Sequence, residues 1–109
     1  MADFVTPRVN QALLSSFVGK NVRVVGQVQQ QPSNGVAVLL ASDNAPVTVK
    51  TQAQSEETWT DQYMEVIGKV APDLSIEELF STNFGNNFDL DNHNALVIFS
   101  HNHYEIFMQ

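Results

Sequence analysis

At 109 residues, 43% of them hydrophobic and 16% charged, the chain is long enough to build one hydrophobic core and too apolar for a disordered polyelectrolyte. Five Lys and Arg face twelve Asp and Glu, a formal net charge of -7, which excludes the strongly basic surface of an autonomous nucleic-acid binder. The absence of cysteine excludes disulfides and thiolate metal centres and suits a reducing compartment such as cytosol or nucleus.

No apolar run approaches the ~20 residues that span a bilayer. The segment MADFVTPRVN lacks a basic cluster followed by an apolar stretch, so it is not read as a signal peptide. Lys69 is the last basic residue, and six of the twelve acids follow it.

Residues 1–9 read as an extended arm, with Phe4 and Val5 apolar and Pro7 holding Thr6 extended. Asn10 is a helix cap, and a helix is expected over 10–18, closed by Gly19. Ala12, Leu13, Phe17 and Val18 form its apolar stripe, suited to covering one end of the domain. From Asn21 the period changes to two. VRVVGQV puts Val22, Val24 and Val28 on one strand face, with Gly26 marking a bulge or bend. The turn QPSNG leads into GVAVLLA, with Val36, Val38 and Leu40 sharing a face. After a turn at Ser42, Asp43 and Asn44, PVTVKTQ is a third strand with Val47 and Val49 inward.

AQSEETWTD is a loop or a single helical turn. DQYMEVIGKVAP is a fourth strand, with Met64, Val66 and Val70 in register and Gly68 in mid-strand. LSIEELFSTNF is read as a fifth strand, although IEELF could also form a helical turn. The barrel strands thus occupy 21–84. Five bent antiparallel strands with a flanking helix at each end point to an all-β fold, a single OB-fold β-barrel; an SH3-like barrel is the runner-up.

The last element, expected as a helix over 91–107, is the most unusual. Ala95, Leu96, Val97, Ile98 and Phe99 are five consecutive apolar residues, which wrap the circumference of a helix turning every ~3.6 residues. A buried strand is the rival reading, but Asp89 and Asp91 ahead of the run suit a helix N-terminus. A chain this small has little with which to cover such a helix. A partner interface is therefore expected at Ala95, Leu96, Val97, Ile98, Phe99, His103, Ile106 and Phe107.

Catalytic signals are absent from the pattern. Glu77 and Glu78 are adjacent and point apart, and no serine stands in a GxSxG turn. His101 and His103 are two residues apart, so on a helix they diverge, and no metal or other cofactor is expected. Single-strand binders need a basic groove with stacking aromatics. Residues 35–52 hold no aromatic and one cation, Lys50. Weak nucleic-acid contact is conceivable at Arg23, Lys50 and Trp59. A ring closing one end of the barrel is the favoured reading of Trp59.

The motifs PRVN at 7–10, VRVVGQV at 22–28, EVIGKV at 65–70 and FDL at 88–90, in this order, resemble the small subunit of replication protein A, the heterotrimeric single-stranded DNA-binding complex of eukaryotes. The resemblance runs from Pro7 to about Phe107. It implies one OB-fold and a C-terminal helix that joins helices of the middle and large subunits in a three-helix bundle. It also implies a non-enzymatic assembly role in DNA replication, repair and recombination in the nucleus, with DNA held mainly by the partners. No tail function is carried over onto HNHYEIFMQ, and Arg8, Arg23, Lys50 and Lys69 are not assigned as DNA ligands by it. The small OB subunit of a telomere-end-binding trimer and a stand-alone single-strand binder are the alternatives.

Overall fold

The computed structural model describes residues 6–108 and, in the C-terminal helix, side chains as far as residue 99. Phe4 and Val5 therefore lie outside the described residues. Five strands, β1 (Asn21–Ser33), β2 (Val36–Ala41), β3 (Pro46–Lys50), β4 (Tyr63–Val70) and β5 (Ile76–Asn83), close a barrel in the order β1-β2-β3-β5-β4. β1 completes the circle because it pairs with β4 through its first half and with β2 through its second. All pairings are antiparallel except β3 with β5. This is the OB-fold expected from the strand pattern. A single helical turn, α1 (Ser55–Thr58), links β3 to β4, and α2 (Leu90–Met108) ends the chain.

The strand carrying both pairings must bend, and Gly26 sits at the changeover, opposite Ala41 on one side and Met64 on the other. A Cβ there would stand 2.6 Å from the Leu40 carbonyl oxygen. At Gly68 the β4–β5 register slips: Ile67 opposes Phe80 and Gly68 opposes Glu78, leaving Leu79 as the extra residue of a bulge. A Cβ at Gly68 would come 2.7 Å from the Ile76 side chain. Both glycines permit a close approach that tightens the barrel. The β1–β2 hairpin turns through Asn34 and Gly35, both at positive φ (55° and 81°), the primed turn that follows the twist of the strands.

The core is a cluster of aliphatic side chains from every strand, including Val22, Val24, Leu39, Val47, Val49, Met64, Val66, Val70 and Ile76. One expectation is sharpened here and one corrected. In β2 Val36, Val38 and Leu40 share a face, as expected, and it is the outer one; the inward residues are Ala37, Leu39 and Ala41. The run VAVLLA is apolar throughout, so it does not declare its inner face. Its register does: Ala37 opposes Val49 and Leu39 opposes Val47, and directly opposed residues share a face. The first helix is a short 3-10 turn, Gln11–Ser16, whose buried residue is Leu14. Leu13 and Phe17 pack only partly against the core, and Ala12 and Val18 are exposed. The turn is held from both sides. The Asn10 side chain accepts from Leu13 N–H, and the Asp43 carboxylate accepts from Gln11 and Ala12 N–H.

One polar group enters the barrel wall. Glu78 shares the inward parity of Ile76 on β5 and is only 7% exposed. Its carboxylate accepts hydrogen bonds from Ser55 Oγ (2.5 Å), Gln52 N–H (2.8 Å), the Trp59 indole N–H (3.1 Å) and Ser81 Oγ. Four donors on α1, β5 and the loop after β3 thus converge on one acceptor. Burial works to raise the Glu78 pKa, but the combined hydrogen bonds from Ser55, Ser81, Gln52 and Trp59 hold it below its ordinary value. The bulge at Leu79 then reverses the parity beyond Glu78, which leaves Phe80 outward and 70% exposed.

Glu78→Leu leaves the buried Ser55 hydroxyl and Trp59 indole N–H without their acceptor. It is expected to cost about 2–4 kcal/mol, read as a lower urea midpoint at unchanged m-value. Because the folded pKa lies below the reference value of 4.5, the Glu78 contribution is full above that pH and disappears as pH falls through the folded value. An acid titration of wild type and Glu78→Gln should show a steeper loss in the wild type. Equal slopes would show that the carboxylate is not the stabilised form.

Candidate interaction site at the C-terminal helix

Helix α2 begins where Asp89 caps it. The Asp89 side chain accepts from Asn92 N–H (3.0 Å) and its carbonyl from His93 N–H (3.1 Å), as the acids ahead of the apolar run suggest. The helix packs on β1. Leu90, His93, Asn94 and Val97 recur at helical spacing, and each is buried or half-buried. This is the stripe that faces the barrel. Asn94 fixes its position: its side-chain oxygen accepts from Asn10 Nδ2 and from Ser42 Oγ, both at 2.9 Å. One asparagine therefore ties the helix to the N-terminal turn and to the loop after β2.

Of the five residues of the expected interface whose side chains are described, four are exposed. Leu96 is 57% exposed, Ile98 49%, Phe99 62%, and Ala95 is also exposed. Val97, placed in the same interface by its apolar neighbours, is fully enclosed by its own domain. Leu96 and Phe99 on one side of the helix and Ala95 and Ile98 on the other are thus all exposed. The side chains of His103, Ile106 and Phe107 lie outside the described ones, as do those of the His101–His103 pair, although the helical backbone extends through them.

Beside the helix a cleft of about 460 Å³ opens between α2, the N-terminal arm and β4. Its apolar walls are Phe84, Phe88, Leu96 and Phe99, and Arg8, Glu65, Asp89 and His93 complete it. Phe88 is the hub of a ring cluster, with centroids 5.9 Å from Tyr63, 5.4 Å from Phe84 and 5.6 Å from His93. His93 Nε2 is buried and meets no hydrogen-bond partner among the described residues. Burial draws the His93 pKa below its ordinary value, and the Arg8 charge adds to the effect. Neither Phe84 nor His93 was marked as a site residue by the sequence. The available signal was the i, i+4 pairing of His93 with Val97 within the expected helix.

The nucleic-acid candidates do not come together. Trp59 is 3% exposed, lies in the core cluster and spends its indole N–H on Glu78, so it offers no face to a base. Arg23 stands 3.9 Å from Glu65 on β4, and Lys50 stands 3.5 Å from Asp73. The outward face of β2 and β3 presents Val36, Val38, Leu40, Thr48 and Lys50, with no aromatic ring.

Comparison with known proteins gives a consistent neighbourhood. The family model described as replication factor A protein 3 matches residues 1–107. The chain is 30% identical over 105 residues to the replication factor A protein 3 of Schizosaccharomyces pombe, covering 95% of this chain and 96% of that one. Among solved structures it is similar to a chain of U. maydis replication protein A bound to single-stranded DNA, with TM-score 0.85, 26% identity and 94% of each chain covered. A chain of the S. pombe Stn1–Ten1 complex shares the fold at TM-score 0.72 and 15% identity, covering 89% of this chain and 92% of that one.

A buried neutral histidine at the helix joint has a pH consequence. With its folded pKa below 6.5, His93 takes up a proton more readily in the unfolded chain. Its contribution to stability is therefore full above pH 6.5 and is lost as pH falls through the folded value. Urea midpoints measured from about pH 7.5 to about pH 5 are expected to fall in wild type and to fall less in His93→Gln, which has no proton to gain. Parallel slopes would exclude His93 as the source.

Proposed function

The chain belongs to the replication factor A protein 3 family, and on that footing we propose that it is the structural, assembly subunit of a heterotrimeric single-stranded DNA-binding complex. In this reading it joins the middle and large subunits through α2, packed in a three-helix bundle, and acts with them in DNA replication, repair and recombination in the nucleus. It performs no catalysis and contributes little direct contact to DNA.

The observation that carries the reading is the outward apolar surface of α2. Ala95, Leu96, Ile98 and Phe99 are exposed together on a helix whose inward stripe is already satisfied by its own barrel. Burying such side chains against partner helices removes apolar area from water at about 25 cal/mol per Å². Two surplus faces on one helix suit two partner helices better than one. The DNA side of the proposal is supported by charge. A net charge of -7, the pairing of Arg23 and Lys50 with carboxylates and the interior position of Trp59 leave a poor platform for a phosphate backbone. The match to the family separates this reading from the telomere-end alternative, for which the likeness concerns the fold alone.

Deleting residues 92–109 would strip Asn94 and Val97 from the barrel as well as the outward face, so point variants are the cleaner test. Leu96→Glu and Phe99→Glu each place a charge where the partner helix would bury it and leave the isolated barrel intact. Co-expression with the middle and large subunits should yield complex with the wild type and lose at least about ten-fold in yield with either variant, at unchanged far-UV circular dichroism of the free chain. Wild-type recovery of the trimer with both variants would sink the proposal. The isolated chain should also fail to retain a labelled oligo-dT at low salt, where phosphate contacts are strongest.

A further inference from the structure

The cleft beside α2 has not been accounted for by a helix that binds through its outward face alone. Two of its walls, Leu96 and Phe99, belong to that face, and they stand one helical turn apart. The facing wall comes from the loop between β5 and α2. Phe84 is 36% exposed there, and Phe88 is anchored by Tyr63, Phe84 and His93. The exposed apolar surface of α2 therefore does not stop at the helix but continues onto Phe84 and Phe88.

We propose that this cleft is a socket for a partner subunit, receiving two bulky apolar side chains spaced one helical turn apart on a segment flanked by basic residues. The inference rests on the assembly role proposed above and assigns Phe84 and Phe88 to the same interface. A cavity of about 460 Å³ is too large for a single side chain and is lined chiefly by rings and aliphatic groups. Its continuity with Leu96 and Phe99 makes the occupant the same body that covers α2. The buried Nε2 of His93 gives the socket one polar atom at its wall with no hydrogen-bond partner among the described residues. The net charge of the chain selects among occupants. A second copy would bring -7 against -7, whereas a different chain with a basic flank would be attracted; at the cleft itself Arg8 accompanies Glu65, which Arg23 approaches to 3.9 Å, and Asp89.

The test uses the co-expressed heterotrimer, with a benzophenone amino acid replacing Phe84 as a photo-crosslinker and Phe84→Ser as the binding variant. Ile98→Glu serves as the reference, because Ile98 is exposed on α2 and does not line the cleft. Irradiation should join position 84 to an apolar segment of a partner subunit with Lys or Arg nearby. Phe84→Ser should weaken association roughly five- to fifty-fold while the free chain keeps the far-UV circular dichroism of the folded barrel. If Ile98→Glu blocks assembly while Phe84→Ser leaves affinity unchanged and position 84 yields no partner crosslink, the socket is refuted and the helix interface stands. Crosslinks to residues 1–5 of the same chain, or to a second copy, would assign the cleft to those occupants and overturn the proposal. Normal assembly with both Ile98→Glu and Phe84→Ser would overturn the helix interface and the socket with it.

Discussion

The constraint on which the rest of the structure depends is the closure of the barrel through one strand. β1 pairs with β4 and β2 in succession, and the five strands enclose a core filled by their own side chains together with Val9, Leu14 and Trp59. Gly26 and Gly68 make the closure possible, because a Cβ at either position would collide with the neighbouring strand. A barrel closed this tightly has no interior left for a helix. α2 must lie outside it, against β1, and among the described residues it buries the stripe Leu90, His93, Asn94 and Val97. The exposure of Leu96, Ile98 and Phe99 follows from geometry, since a cylinder touching a convex surface is covered along one line.

Closure also explains where polarity is admitted. The β4–β5 bulge at Leu79 terminates the inward alternation of β5, and Glu78 is the last inward residue before it. A carboxylate there would be costly if unpaired, and it is offset by donors from Gln52, Ser55, Trp59 and Ser81. The same network takes Trp59 out of circulation as a stacking ring. A structural requirement of the barrel thereby removes one of the few features that could have served nucleic acid. The barrel then becomes a rigid base from which the N-terminal turn, the loop after β2 and α2 are aligned by the Asn10–Asn94–Ser42 hydrogen bonds.

The third and fourth strands were legible because their segments alternate cleanly. Val47 and Val49 in β3, and Met64, Val66 and Val70 in β4, are buried as their period-two spacing implies. The Asn34–Gly35 turn and the Asp89 cap were legible for a similar reason, since each is a local stereochemical or hydrogen-bonding preference. The face of β2 was not legible, because all six of its side chains are apolar and only pairing with β3 sets the parity. Nor was the burial of Glu78 legible. In the string IEELF it is one of two adjacent acids, and the donors it meets come from residues 52, 55 and 59, far from it in sequence.

The sequence by itself determined the class of fold and the presence of a helix too apolar for its own domain, because periodicity and composition are properties of local chain segments. The aromatic and charge poverty of the presumed DNA face was determined at the same level. Tertiary structure alone decided which residue of the apolar run is consumed internally. Val97 is enclosed by its own domain while Leu96, Ile98 and Phe99 face outward, a division set by the rotation of the helix about its axis. That rotation is fixed by Asn94 reaching Asn10 and Ser42, partners 84 and 52 residues away. A hydrogen bond across such distances leaves no trace in the local pattern, and it is what turns a greasy segment into a surface with a defined direction.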